Sequence, residues 1–351
     1  MKYLKKYLED YGNVSFKDKK INDVDNLIFT SLAYLDFSDI NKNKKRNTIE
    51  LVGKNYLKNN KYKDIAKLCN AKKVAYSLLK IIVNKERYKN VIIKNYIYKQ
   101  NDSSQFSAVT FHISHKLDFI AFEGTDEYIS GWRENCKLAC SFPVPAHVEA
   151  INYINKHVKI FGPNIIIGGH SKGGNLALVA AMYLRSYKQN KILKIYSNDG
   201  PGLRKKEFES KEYKKIKNKY IHIVPDCSFV GVLLRHDNYK VVKCIKNNIN
   251  GHIMDTWVIE DDKLVSSKLS NKSIRLETNL INWLELHDDS DKKLLVDSLF
   301  NLLNELEIDN TLKLRKIKNI FRIIRKYRGM DKNLKNLTKD LIKYNLLNVK
   351  N

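Results

Sequence analysis

A serine between two glycines is the residue of this sequence best placed for covalent chemistry. Residues 169–173 read Gly-His-Ser-Lys-Gly and fit the pattern G-x-S-x-G, in which a sharp turn between a strand and a helix exposes the serine hydroxyl. An apolar strand pattern, 165–167, leads into the segment, and an apolar helix pattern, 175–184, leaves it. The pattern therefore predicts Ser171 as a nucleophile, with the backbone N–H of Lys172 donating to an oxyanion.

Two other interpretations of the glycines around Ser171 account less well for the surrounding sequence. An incidental serine in a glycine-rich turn would not require the strand before it and the helix after it. A phosphate-binding turn would need the spacing G-x-x-x-x-G-K-[ST], which the residues before Lys172 do not make.

A serine nucleophile needs an imidazole base, which in this arrangement follows the serine along the chain. His222 lies inside the strand pattern KYIHIVP, and His287 falls in a helical region beside acidic residues. His252 follows the turn signal Asn-Gly and suits a base on a late loop better than His236, the remaining alternative.

The base needs a carboxylate that orients it, expected at the end of a strand. Asp226 directly follows the strand pattern 221–225 and meets that condition. Asp199 also follows a strand, but the glycines and proline around it are typical of a turn. Asp237 and Asp255, beside the two candidate bases, suit surface or supporting positions. We therefore predict Asp226 as the acid.

The second oxyanion donor is expected on a loop after an earlier strand. The strand pattern LDFIAFEG ends in Gly124-Thr125, where glycine permits close backbone approach and Thr125 offers both an N–H and a hydroxyl. A plain turn is the alternative interpretation of this dipeptide.

The elements around these residues predict a mainly parallel sheet covered by helices. NVIIKNYIYKQ, QFSAVTFHIS and LDFIAFEG read as three successive strands, and from position 145 strand and helix patterns alternate. We predict an α/β-hydrolase fold with a core over 89–270, a helical N-terminal segment over 1–88 packed on it, and a helical C-terminal segment over 271–351.

Composition narrows the class of protein and its partners. The net charge of +26 favours anionic partners, but the cations are spread along a chain rich in Lys, Asn and Ile, so no nucleic-acid arm is indicated. Five cysteines without a C-x-x-C pair predict neither a disulfide framework nor a zinc cluster. Without a signal-peptide pattern or a long apolar run, the expected location is the cytoplasm.

A basic amphipathic helix stands out near the C-terminus. In LRKIKNIFRIIRKY the side chains of Leu314, Ile317, Phe321 and Ile324 share one face, with Arg and Lys opposite. Such a helix usually packs its apolar stripe onto the domain. The pattern also allows peripheral contact with an anionic membrane surface.

The motifs together resemble a known family. AFEGTDEYISGW followed by GGHSKGGNLAL is similar to the class 3 (fungal-type) lipases. VDNLIFTSLAYLDF, SNDGPG, VPDCSFVGVLL and GHIMDTW resemble an uncharacterised family of bacterial lipase-like α/β-hydrolases, and the likeness runs over about residues 20–260.

The resemblance implies a serine esterase with Ser171 as nucleophile, Asp226 as acid, His252 as base, and Thr125 and Lys172 as oxyanion donors. It implies a small-molecule or lipid acyl substrate and no metal or organic cofactor. Residues 126–145 would form a lid or part of the acyl pocket. One departure concerns the oxyanion loop, where Glu123 stands at a position at which lipase relatives commonly carry Arg. The alternatives are a non-catalytic binding protein of the same fold and a basic protein that binds membrane surface or nucleic acid.

Overall fold

The computed structural model describes residues 1–42, 47–59, 68–101, 104–125, 129–246, 249–308, 313 and 316–346. Its α-helices are α1 (Lys2–Asp10), α2 (Asp23–Leu32), α3 (Ile49–Asn59), α4 (Asn70–Ile82), α5 (Glu86–Lys89), α6 (Ile129–Lys137), α7 (Pro145–His157), α8 (Lys172–Met182), α9 (Lys205–Phe208), α10 (Lys211–Ile216), α11 (Asn271–Leu286), α12 (Asp289–Glu305), α13 (Ile317–Arg328) and α14 (Lys332–Leu346).

A seven-stranded sheet runs through the middle of the molecule. Its strands are β1 (Ile92–Asn101), β2 (Ser104–Ser114), β3 (Leu117–Phe122), β4 (Asn164–His170), β5 (Ile192–Asn198), β6 (Tyr220–Pro225) and β7 (Lys240–Val242), and a separate ribbon pairs β8 (Ile259–Glu260) with β9 (Lys263–Leu264). The strands lie side by side in chain order. β2 is antiparallel to both of its neighbours, and from β3 to β7 all pairs are parallel.

Alternate side chains of the strands enter two apolar cores, one on each face of the sheet. Phe119 and Ile166 pack with the N-terminal helices, whereas Ile120 and Ile167 pack with α7 and α8. This arrangement buries both faces, as a parallel sheet requires. The predicted α/β-hydrolase fold, with helical additions at both ends, is confirmed.

The N-terminal helices are joined by a buried ion pair. The Arg87 guanidinium donates from Nη2 to Asp25 Oδ2 at 2.6 Å and from Nε to Asp25 Oδ1 at 2.8 Å, with both side chains fully buried. The Tyr88 hydroxyl donates to the same carboxylate at 2.6 Å. Since Asp25 lies in α2 and Arg87 lies in α5, the ion pair joins an early helix of the N-terminal segment to its last helix.

The C-terminal helices lie beside α6 and α11 rather than on the main sheet. Phe300, Leu303 and Ile308 form a separate small core, against which Cys136 of α6 packs. The boundaries at 88 and 270 stay predictions. Among the described helices, none is both long and apolar enough to cross a bilayer.

Candidate active site

Ser171 lies in a sharp bend between β4 and α8. Its backbone has φ 57° and ψ −130°, a left-handed conformation that non-glycine residues rarely adopt. A Cβ on Gly169 would lie 2.0 Å from the Gly173 carbonyl oxygen, and one on Gly173 would lie 2.3 Å from the Phe122 oxygen. The bend therefore requires both glycines, as the spacing predicts, and its strain is of the kind that accumulates at functional sites.

His252 is held by a buried carboxylate, that of Asp199. The His252 Nδ1 lies 2.6 Å from Asp199 Oδ2, and the Asp199 side chain is fully buried. The other carboxylate oxygen of Asp199 accepts from the Ser228 hydroxyl and from the Gly231 N–H. His252 ends a short 3-10 turn, Ile249–His252, at the carboxyl edge of the sheet.

Asp226 does not orient His252, and this prediction is wrong. Its Oδ1 accepts from the Cys244 thiol and its Oδ2 from the Ser267 hydroxyl, each at 3.1 Å. Asp226 follows β6, two strands away from β4, whereas Asp199 follows the adjacent strand β5. The carboxylate that contacts the His252 imidazole is therefore that of Asp199, which follows the strand next to β4.

The turn-forming sequence around Asp199 concealed its role. Asp199 has φ 49°, and its N–H donates to the Ile223 carbonyl of the neighbouring strand. The turn signal was therefore real, and the turn is what presents the carboxylate to His252.

His170 packs against the ring of His252 and contacts its backbone, a role that the sequence did not indicate. Its ring lies 4.4 Å, centroid to centroid, from the ring of His252. Its Nε2 lies 2.8 Å from the His252 carbonyl oxygen, and its Nδ1 lies 2.8 Å from the Tyr34 hydroxyl. Because a carbonyl only accepts, His170 carries its proton on Nε2 and accepts from Tyr34.

Burial keeps His170 neutral. Complete burial, with the neighbouring His252 ring as a smaller cause, holds the pKa of His170 well below its ordinary value. A neutral ring with a defined tautomer fixes the backbone of His252 without placing a second positive charge beside it. The only sequence signal was the position of His170 next to Ser171.

The loop of Gly124 and Thr125 approaches Ser171. A Cβ on Gly124 would lie 3.2 Å from the Ser171 Cβ. The Thr125 hydroxyl is 2.7 Å from the Asn135 Nδ2 of α6, from which it accepts. With its hydroxyl engaged, Thr125 has its N–H as the group to offer to an oxyanion.

The backbone N–H and the side chain of Lys172 have separate roles. As the first residue of α8 it carries one of the N–H groups that have no partner within the helix. Its side chain is buried, and Nζ donates to the Gln105 carbonyl at 2.6 Å and to Glu134 Oε2 at 3.1 Å. Glu134 Oε1 also accepts from the Ala146 N–H. This buried pair joins β2, α6, α7 and α8 around the bend.

The other candidate histidines lie in different surroundings. His236 is 3.5 Å from Glu277 and packs edge-on against His222 and Tyr239. His222 is buried in β6, and burial is the main cause that lowers its pKa well below the ordinary value. His287 packs on Trp283. His252, by contrast, packs its ring against that of His170, the residue directly before Ser171, and is the candidate base that lies beside the bend.

The segment predicted as a lid is described in part. Positions 126–128 lie outside the described residues, and α6 follows them. Asp297 of α12 pairs with Arg133 at 2.8 Å and Lys137 at 3.3 Å, so α6 is held by the C-terminal helices. A cavity of about 240 Å³ lies nearby, lined by Leu203, Leu234 and Leu284 among others, but neither Ser171 nor His252 lines it.

The sheet with its flanking helices and the bend at Ser171 place the protein in the α/β-hydrolase fold class, with a strand–serine–helix elbow. The chain belongs to the Mbeg1-like family, whose model matches residues 82–301. Among solved structures, one titled "Crystal structure of M37 lipase" is 14% identical with a TM-score of 0.32, over 59% of this chain and 68% of that one. No curated protein matches the chain.

Proposed function

We propose that this protein is a serine hydrolase that cleaves an acyl ester through Ser171, His252 and Asp199. The observation that carries the proposal is the 2.6 Å contact between His252 Nδ1 and the buried Asp199 carboxylate, at the edge of the sheet where the strained Ser171 follows β4. A strained serine after one strand, and an imidazole oriented by a carboxylate that follows the adjacent strand, are parts that acyl transfer requires.

In this mechanism Asp199 sets the tautomer of His252. The carboxylate accepts a hydrogen bond from the Nδ1–H, so the neutral ring keeps its proton on Nδ1 and Nε2 can take the proton of Ser171 as its Oγ attacks the ester carbonyl. The proton then passes from His252 to the departing alcohol, and an acyl-serine remains. Water attacks that ester with His252 again as base, which releases the acid and restores Ser171.

The developing negative charge on the substrate oxygen would be met by backbone donors. The N–H of Lys172 opens α8, where the helix dipole also favours negative charge. The N–H of Thr125 is the second donor, on a loop so close to Ser171 that a Cβ on Gly124 would lie 3.2 Å from the Ser171 Cβ. A donor of this kind is typically worth about 10²–10³ in kcat.

Labelling with a fluorophosphonate tests the proposal. We expect the wild-type chain to be labelled on Ser171 and the Ser171→Ala variant to be unlabelled. Ser290, an exposed serine, offers the control Ser290→Ala, which should be labelled like the wild type. A wild-type chain that neither reacts with the probe nor hydrolyses a p-nitrophenyl ester would favour a non-catalytic binding protein of the same fold.

The acyl group is the next unknown, and a chain-length series resolves it. A panel of p-nitrophenyl esters of increasing length, assayed with the wild type and Ser171→Ala, gives kcat/KM for each acyl chain. Exposed Trp132 and part-buried Phe142, both within the predicted lid 126–145, favour an apolar acyl chain. A preference for the shortest ester would contradict that expectation while leaving the serine mechanism intact.

A further inference from the structure

Two cysteines face each other at the ends of adjacent strands, outside the catalytic constellation. Cys227 follows β6 and Cys244 follows β7, each two positions beyond the paired residues Pro225 and Val242. Neighbouring strands lie about 4.8 Å apart, within the Cα separation of about 4.4–6.8 Å that a disulfide needs. The two Sγ atoms are 3.0 Å apart, and no disulfide joins them.

The surroundings supply hydrogen-bond acceptors for both thiols. Asp226 Oδ1 accepts from the Cys244 thiol, and the Lys246 carbonyl oxygen lies 2.8 Å from Cys227 Sγ and 2.9 Å from Cys244 Sγ. Cys244 is buried, whereas Cys227 is partly exposed and can be reached from solvent. The pair also lies next to the 3-10 turn that ends in His252, since a Cβ on Gly251 would be 2.1 Å from Cys227 Sγ.

We propose that Cys227 and Cys244 form a reversible disulfide when a low-molecular-weight disulfide is present. The Cys227 thiolate attacks one sulfur of the oxidant and releases its first thiol. Cys244 then attacks the Cys227 sulfur of the mixed disulfide, passing its proton to Asp226, and the second thiol leaves. Two protein thiols are oxidised and one external disulfide is reduced to two thiols.

The assignment of attacking and resolving thiols follows from exposure and hydrogen bonding. The 3.0 Å contact with the Cys244 sulfur lowers the pKa of the Cys227 thiol, which favours its thiolate. The pKa of Cys244 is raised by the same contact and by burial. Cys227 is therefore the first to react, and Asp226 has a positioning role toward Cys244.

Oxidised glutathione and intact-mass spectrometry test the proposal. We expect the wild-type chain to lose two hydrogens and to yield a tryptic peptide linking Cys227 to Cys244. Cys244→Ser should stop at a glutathione adduct on Cys227, and Cys227→Ser should not react at this pair. The control Cys136→Ser, which removes a thiol elsewhere, and Ser171→Ala should both behave like the wild type, so the result is independent of hydrolase activity.

Two results would overturn it. One is a wild-type chain that keeps all five thiols or accumulates an unresolved glutathione adduct. The other is the presence of one zinc ion per purified chain that is lost from both single cysteine variants. The ligand atoms of Asp226, Cys227 and Cys244 lie within 4.8 Å of one another, so this result would make the cluster a cation site. Circular dichroism of each variant establishes that it is folded.

Helix α13 independently presents an apolar and cationic surface to solvent. Ile320, Phe321 and Ile324 are exposed, Phe321 to 68%. Ile323, on another side of the helix, packs against the small core that includes α12 residues. The expectation that the apolar stripe packs onto the domain is therefore wrong for Phe321 and Ile324. Leu314 lies outside the described residues.

The charges of α13 indicate which surface would cover this face. The helix carries Lys318, Arg322, Arg325, Lys326 and Arg328 and no acidic residue. Lys326 pairs with Glu305, and the side chains of the other four are exposed. Exposed apolar side chains flanked by cations are typical of helices that lie in the plane of an anionic bilayer surface.

We infer that α13 binds anionic membrane surface, with Phe321 and Ile324 inserted. In co-sedimentation, we expect binding to vesicles of phosphatidylcholine with phosphatidylglycerol and little binding to phosphatidylcholine alone. Phe321→Glu with Ile324→Glu should lower the bound fraction at least tenfold. Leu193→Glu, at an exposed leucine of β5, is the matched control and should lower it little. Unchanged binding by the double variant, or binding to duplex DNA but not to vesicles, would overturn the inference.

Discussion

The proposed base, His252, is fixed at two points by residues far from it in sequence. Asp199 contacts its ring nitrogen, and His170 donates to its backbone carbonyl. The first contact sets the tautomer and the second sets where the ring sits, because a carbonyl held in place limits the movement of its own residue. Catalysis by a base depends on that position, and a displacement of about 1 Å can cost about 10² in rate.

Replacing His170 should therefore lower kcat without changing substrate binding. For His170→Gln we expect kcat on a short p-nitrophenyl ester to fall about 10- to 100-fold with KM nearly unchanged, because His170 positions His252 and does not contact the substrate. His115→Gln, at an exposed histidine, is the control. An unaltered kcat in a folded His170→Gln protein would rule out the positioning role.

Local sequence points to Ser171 and His252 as candidates but not to the residues that support them. The elbow motif consists of five consecutive residues. Few other histidines after Ser171 lie on a predicted loop, so His252 stands out as a candidate base. Asp199 and His252 are 53 positions apart, and His170 and His252 are 82 apart. Choosing Asp199 over Asp226 required knowing which strand lies next to β4 and how a turn aims its side chain.

At the scale of elements, the strand–bend–helix unit of β4 and α8 is held by backbone contacts. The carbonyl of Asn198 accepts from the Ser171 N–H, and Gly173 approaches the end of β3. Three parallel strand ends therefore meet at the bend. Side chains at the two flanking glycines would have to displace backbone atoms, which cannot move separately from the sheet.

Adding a single methyl group at Gly169 should destabilise the fold. For Gly169→Ala we expect a loss of at least about 2 kcal/mol in the free energy of unfolding, measured by urea titration, because the new Cβ would meet the Gly173 carbonyl at 2.0 Å. Gly329→Ala is the matched control, since its Cβ would lie 3.5 Å from its nearest neighbour, and it should change stability by less than about 0.5 kcal/mol. Equal stability of the two variants would contradict this view of the bend.

Periodicity predicted the elements more completely than their contacts. The seven sheet strands fall where apolar alternation or short apolar runs occur, because side chains of a sheet alternate between its two faces. The same reasoning failed for α13. A helical stripe indicates that one face is apolar, but it does not state whether another part of the chain covers that face.

At the scale of the whole molecule, the N-terminal helices reach the candidate site. The Asn26 side chain of α2 donates to Asn198 at 2.8 Å, directly before Asp199, and Tyr34 contacts His170. The region therefore supports the end of β5 and the residue before Ser171, although its sequence carries no catalytic motif. Its loss is expected to affect activity as well as stability.

A buried histidine couples stability to pH. Burial is the main cause that lowers the pKa of His147 from 6.5 to about 4, while its Nε2 pairs with Asn175. The unfolded chain takes up the proton near pH 6.5 and the folded chain only near pH 4, so acidification through this window favours unfolding. His170 and His222, whose pKa values are also lowered, add to the same trend.

His147→Gln isolates this contribution. Between about pH 7 and about pH 5 we expect the wild type to lose about 2 kcal/mol more of its free energy of unfolding than the variant does. Urea titrations at the two pH values measure the difference. Parallel losses in both proteins would show that His147 titrates normally in the folded state.

The pairing of His252 with Asp199 rather than Asp226 is tested most directly by comparing Asp199→Asn with Asp226→Asn. Asp199→Asn should lower kcat for a p-nitrophenyl ester by about 10³–10⁴, because His252 is then no longer held in the tautomer that can act as a base. Asp226→Asn, a folded protein with the same change of charge, should stay within about threefold of the wild type. A large loss in Asp226→Asn with Asp199→Asn nearly unaffected would contradict this pairing.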